Sequence, residues 1–205
     1  MARSKESMNG TLLLVAASAI WGVVHSLLAS HAAKDFSTRT FGPAATGRFY
    51  RFGYNIFSVI SFLPVLALLV ILPDQPLYSI PAPWLYLSLL GQALAVVALV
   101  VGVIQTGVWE FIGLSQLIRA ENAEKAQLTT SGLYHYVRHP LYSAGLVFIW
   151  LTPAMTLNRL ALWIVMSLYL IIGAIFEERK LLRDFGQQYA EYKTRTPMLI
   201  PRLFG

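Results

Sequence analysis

The chain has 205 residues, of which 56% are hydrophobic and only 13% charged, with a mean hydropathy of +0.58, a net charge of +6 and no cysteine. Such a composition describes a helical membrane protein, and the missing cysteine excludes a disulfide framework, a thiolate nucleophile and a cysteine-ligated metal. G-x-G-x-x-G, G-x-x-x-x-G-K-[ST] and H-E-x-x-H are absent as well, so any nucleotide-like cofactor must be held without a Rossmann or P-loop element.

In chain order, apolar runs predict about five transmembrane helices, at 12–28, 52–72, 84–104, 140–156 and 160–176, against the roughly 20 residues that a crossing needs. Arg3 and Lys5 precede the first run, and Ala16, Ala17, Ser18 and Ala19 resemble a cleavage site. Apolar residues continue past them to Leu28, beyond the roughly 7–15 residues of a signal h-region, so the run reads as a retained helix. The fourth run is short; it is expected to start at Pro140, which suits a first helical turn, and to tolerate Pro153 near its exit. The expected fold is all-α: a polytopic integral-membrane helical bundle forming a single domain over residues 1–205. Residues 177–205 form its amphipathic cytoplasmic C-terminal segment, with an apolar stripe at Leu181, Phe185, Tyr189 and Tyr192.

Five crossings put Lys34, Arg39, Arg48, Arg51, Arg119, Lys125 and Arg138 on one side with the basic residues after Phe176, leaving Arg3, Lys5 and Arg159 opposite. The positive-inside rule then places the N-terminus outside and the C-terminus in the cytoplasm, with a bacterial inner membrane as the expected location. The basic residues are spread along one membrane face without a nucleic-acid motif; they read as anchors in the membrane lipid, and no nucleic-acid partner is expected.

Residues 132–142 read G-L-Y-H-Y-V-R-H-P-L-Y and precede an apolar hairpin, after which E-E-R-K-L-L begins at Glu177. A hairpin returns the chain to its starting face, so Arg138, His139, Glu177 and Glu178 are expected at one membrane surface. Ionisable groups gathered there mark a functional site. An interfacial belt of Tyr and Arg, and a structural Glu178–Arg138 pair, are the plainer alternatives. Glu110 beside Trp109, and His25 inside the first run, are further ionisable groups at membrane depth. His135 and His139 lie four apart with no third ligand, and Pro140 breaks their geometry, so no metal site is expected.

On 132–142, the E-E-R-K-L-L-R-D-F-G-Q-Q-Y-A-E-Y-K run, Pro197 and Pro201, the chain resembles the isoprenylcysteine carboxyl methyltransferase and phospholipid methyltransferase superfamily. The N-terminal half, through Trp21, His25 and Trp109–Leu114, is similar to the NnrU group and its methanethiol S-methyltransferase relatives. The resemblance implies S-adenosyl-L-methionine bound between the last two spans and the C-terminal helix. Leu133, Tyr136, Val137, His139, Pro140, Tyr142, Glu177 and Glu178 are the implied cofactor-binding residues, and Arg138, Glu178, Glu110 and His25 the implied catalytic ones. The implied activity is methyl transfer to a small thiol or lipophilic acceptor, a prenylcysteine carboxylate or phospholipid amine being the alternative. An NADPH-dependent membrane reductase and a non-catalytic NnrU-like factor are the readings from other classes.

Overall fold

The computed structural model describes residues 2–118 and 128–202. Arg119 and Lys125, which entered the charge count, lie outside them. The described chain is helical apart from one short two-stranded pairing, β1 (Pro76–Ser79) with β2 (Ala154–Thr156), and it divides into two compact units. The all-α polytopic expectation holds: four helices are long and apolar enough to cross a membrane.

Among the described residues, the first unit comprises 2–76, 107–118 and 156–165. It is built on α1 (Ala2–Leu28), α2 (His31–Phe41) and α3 (Pro43–Ile71). α1 and α3 run antiparallel, since Tyr50 Oη donates to Leu28 O, Trp21 Nε1 donates to Ser61 Oγ, and Gly10 approaches Leu72. Where they leave the bilayer, Ser30 caps α2 by accepting from Ala33 N at 3.2 Å. Two one-turn helices, α5 (Val108–Ile112) and α6 (Leu114–Ile118), lie against α3. Gly113 between them has φ 86°, and a Cβ there would stand 2.8 Å from Phe52 N, so only glycine admits this approach. At the far end of α1 the fully buried Asn158 accepts from Thr11 Oγ1 and donates to Pro73 O, while its backbone N–H donates to Asp74.

Among the described residues, the second unit comprises 77–106, 128–155 and 166–202. It holds α4 (Trp84–Gln105), α7 (Leu133–Tyr136), α8 (Pro140–Trp150), most of α9 (Leu157–Phe185), and α10 (Gln187–Arg195). The expected fourth span, 140–156, is helical only over α8, whose 11 residues rise about 16 Å. Pro153 cannot continue the helical ladder, and residues 151–156 are irregular and extended. The carbonyls freed at this end are satisfied by α4: Ser88 Oγ donates to Leu151 O, and Gln92 Nε2 donates to Phe148 O at 2.9 Å. Non-helical backbone at membrane depth persists only where protein supplies such partners. α4 and α8 approach closely at Gly91 and Gly102, whose faces are covered by Leu151 and Leu141.

The last expected span also differs. α9 is continuous from Leu157 to Phe185, so Glu177 and Glu178 sit inside a helix rather than at its end, and the chain turns only at Gly186, with φ 53°. The predicted stripe of Leu181, Phe185, Tyr189 and Tyr192 is therefore split between α9 and α10, with Tyr189 buried.

Candidate active site

Arg138 and His139 occupy the extended link between α7 and α8, where Pro140 at the first turn of α8 disfavours helical geometry in the residue before it. α8 runs antiparallel to α9, as Trp150 Nε1 donating to Ser167 Oγ and Tyr142 Oη donating to Glu177 Oε2 at 2.7 Å show. The hairpin thus joins Arg138, His139, Tyr142, Glu177 and Glu178 although about 35 residues separate the two halves of the motif.

Glu178 is the hub. Arg138 places Nη2 at 2.5 Å and Nε at 2.7 Å from its Oε1, and Lys193 Nζ from α10 stands 2.8 Å from its Oε2. Only 8% of each of the Arg138 and Glu178 side chains is exposed, so the pair is buried and both carboxylate oxygens are engaged. Arg138 Nη1 also donates to the carbonyls of Lys193 and Thr196. The backbone closes the arrangement: Arg138 N donates to Pro197 O, His139 N to Met198 O, and Ser143 Oγ to Leu199 O. Residues 196–199 are in this way strapped across the start of α8.

His139 is 5% exposed, its ring stacked on Tyr142 at 7° with centroids 5.4 Å apart. Its Nε2 lies 3.5 Å from Glu178 Oε1 and its Nδ1 3.7 Å from Glu177 Oε2, too long for well-formed hydrogen bonds, so Nε2 is a buried atom lacking a partner among the described residues. Burial pushes the imidazole pKa down, against the opposing pull of Glu177 and Glu178. Glu177 differs from its neighbour in keeping 44% of its side chain exposed. Around them, Leu133 donates its N–H to Gln105 Oε1, Val137 and Pro140 are buried, and Tyr136 is 63% exposed.

The tyrosines packed under this cluster are poor proton acceptors. Burial pushes Tyr134 and Tyr192 up to about 12, and Tyr189 is raised further, in each case chiefly by desolvation. None of the three ionises near neutral pH.

His25 and Glu110 belong to the first unit. His25 is half-buried on α1 and hydrogen-bonded to Tyr54 Oη at 2.7 Å, with Trp21 against its ring at 4.9 Å. Glu110 is exposed on α5, within electrostatic reach of Arg51. The residues that sequence reasoning missed are Lys193, Thr196 and the 197–199 strap. Nothing periodic links Lys193 to Glu178, because the turn at Gly186 resets the helix phase; Pro197 was the one visible signal.

Four apolar helices and a buried ion-pair network strapped at the end of a helical hairpin define a polytopic integral-membrane protein with a built polar site. The chain belongs to the family described as Protein of unknown function (DUF1295), whose model matches residues 9–196. It is 30% identical to a methanethiol S-methyltransferase of Crocosphaera subtropica, over 97% of this chain and 78% of that protein. It is also 38% identical to Methanethiol S-methyltransferase 2 of Bradyrhizobium diazoefficiens, over 47% of this chain and 39% of that one. A more distant relative, Protein-S-isoprenylcysteine O-methyltransferase B of Arabidopsis thaliana, is 33% identical over 42% of this chain and 46% of its own. The matched part thus spans less than half the length of the last two. No solved structure matches the chain.

Proposed function

We propose that this protein is an integral-membrane methyltransferase that uses S-adenosyl-L-methionine and methylates a small thiol or a similarly compact lipophilic acceptor. The observation that carries the reading is the buried His139 ring, whose Nε2 makes no well-formed hydrogen bond and whose Nδ1 side faces the half-exposed carboxylate of Glu177, on the motif that carries the resemblance to membrane methyltransferases. Those two groups suit the amino-acid end of the cofactor: an imidazole N–H donates to a carboxylate, and Glu177 accepts from an ammonium. Tyr136 offers an exposed aromatic face, and Leu133, Val137 and Pro140 an apolar wall. The cofactor supplies an electrophilic methyl group on a sulfonium. Arg138 and Glu178 serve as positioning residues, since both Glu178 oxygens are already engaged and the pair holds the 196–199 strap.

A thiol with a pKa near that of free cysteine, about 8.5, is mostly protonated at neutral pH, so its methylation depends on proton removal. The N-terminus outside, the C-terminus in the cytoplasm, and a bacterial inner membrane complete the proposal.

The test uses purified protein in detergent with methyl-labelled S-adenosylmethionine and a panel of methanethiol, farnesylcysteine and phosphatidylethanolamine. Label is expected in the thiol, at a rate that rises with pH. In calorimetric titration with S-adenosylhomocysteine, His139→Ala and Glu177→Gln are each expected to lose about 1.5–3 kcal/mol, the range for a charge-assisted hydrogen bond. Binding as tight as wild type in both variants would remove the pocket; label in farnesylcysteine alone, independent of pH, would replace the acceptor.

A further inference from the structure

The first unit contains a feature that the methyltransferase chemistry leaves unused: an open cavity of about 830 Å³ between the last turns of α1, α2 and the first half of α3. Its walls are apolar, formed by Val24, Phe36, Phe41, Phe49, Gly53 and Phe57 among others. The polar atoms in the wall are spent on each other. Ser37 and Thr46 hydroxyls pair at 3.0 Å, Tyr50 Oη donates to Leu28 O at 2.6 Å, and Tyr54 Oη is bonded to His25. What such a wall can hold is hydrocarbon; it has no polar group to orient a reacting head. The cavity also lies at the right depth, because it starts beside α2, where α1 and α3 leave their apolar stretches, and continues to Phe57, inside the span.

α2 tells which amphiphile fits. Its cavity-facing residues Ala33, Phe36, Ser37 and Phe41 form one stripe, and at about 100° per residue Lys34 and Arg39 fall on either side of it. Both cations are exposed and have no ion-pair partner among the described residues; Asp35, four residues before Arg39, shares that flank of α2, so Lys34 is the cation next to the stripe with no acid on its side. Arg48 and Arg51 lie on the other face of α3, where Arg48 donates to Leu117 O and Arg51 is within electrostatic reach of Glu110, so they add nothing to this cavity. An apolar stripe flanked by long basic side chains is the arrangement of an interfacial helix on an anionic surface.

We propose that this cavity binds one anionic glycerophospholipid of the bilayer, with acyl chain against Phe36, Phe49 and Phe57 and phosphate at Lys34. Gly53 provides a clean probe. It is helical, faces the cavity, and a Cβ there meets nothing within 4 Å, so a side chain at this position enters the cavity without a clash at its base.

The experiment is native mass spectrometry of the full chain, released from nanodiscs of equal parts phosphatidylglycerol and phosphatidylcholine with matched acyl chains. Wild type is expected to retain one lipid and to prefer phosphatidylglycerol by about fivefold or more, the factor expected for even one surface cation. Gly53→Leu is expected to lose retention of both lipids, with thermal unfolding no lower than wild type. Lys34→Gln keeps a bound lipid but lets the preference fall to near one. Equal retention of both lipids by wild type, or undiminished retention by Gly53→Leu, overturns the site. So does displacement of the lipid by methanethiol or farnesylcysteine, which would make the cavity an acceptor site, or a dimer lost in Gly53→Leu, which would make it an interface.

Discussion

Glu178 shows how a carboxylate survives in a helix continuous with an apolar span. Desolvation alone would disfavour it, but Arg138 and Lys193 neutralise separate oxygens and the strap carbonyls take the rest of the guanidinium. His139 behaves in the opposite way: it is buried, lacks a tight partner at Nε2, and has its pKa lowered. Below the unfolded value of about 6.5 the unfolded chain binds more protons than the folded one, so stability rises with pH across that window and falls as the solution is acidified. His139→Gln, which cannot titrate, is expected to flatten that fall. The check is apparent melting temperature in detergent from pH 7.5 to 5; an unchanged slope would show that His139 is not the group responsible.

At the scale of elements, α8 is the unusual member. Its eleven helical residues rise only about half of a roughly 30 Å hydrocarbon core, and the carbonyls at its end depend on side chains from α4. That dependence demands close approach, which Gly91 and Gly102 permit. A Cβ on Gly102 would come within 2.7 Å of Leu141 Cδ2, at the flexible end of a side chain. Alanine is therefore expected to be nearly tolerated, whereas Gly102→Leu overpacks the contact and costs about 1–3 kcal/mol. Comparing thermal unfolding of the two variants tests this; equal stability would mean that α4 and α8 are not closely packed at this level.

For the whole molecule, the proposed orientation rests on the basic residues gathered after the first span, around Arg138 and after Phe176. Single cysteines are informative because the native chain has none. Cysteines replacing Lys34 and Arg195 are expected to react with an impermeant maleimide only from the cytoplasmic side, and one replacing Lys5 only from outside. Labelling of positions 34 and 195 from opposite sides would rule out the arrangement, including the passage of 140–156 through the bilayer.

The all-α membrane class, the long helices and the meeting of Arg138 and His139 with Glu177 and Glu178 could be read from the chain alone. Runs of apolar residues report membrane burial directly, and a hairpin needs only one turn to return its ends to the same level. Three features came only with the tertiary structure. The carbonyls at the end of α8 are satisfied by Ser88 and Gln92 of a distant helix; Glu178, inside the continuous α9, is neutralised by Lys193 and Arg138; and the strap at 196–199 closes over Arg138 after the turn at Gly186. Each depends on a hydrogen bond or ion pair between residues far apart in sequence, and local pattern carries no record of such partners. The same holds for Glu177 and Glu178, adjacent and identical in sequence, which differ only because the fold leaves one half-exposed and encloses the other.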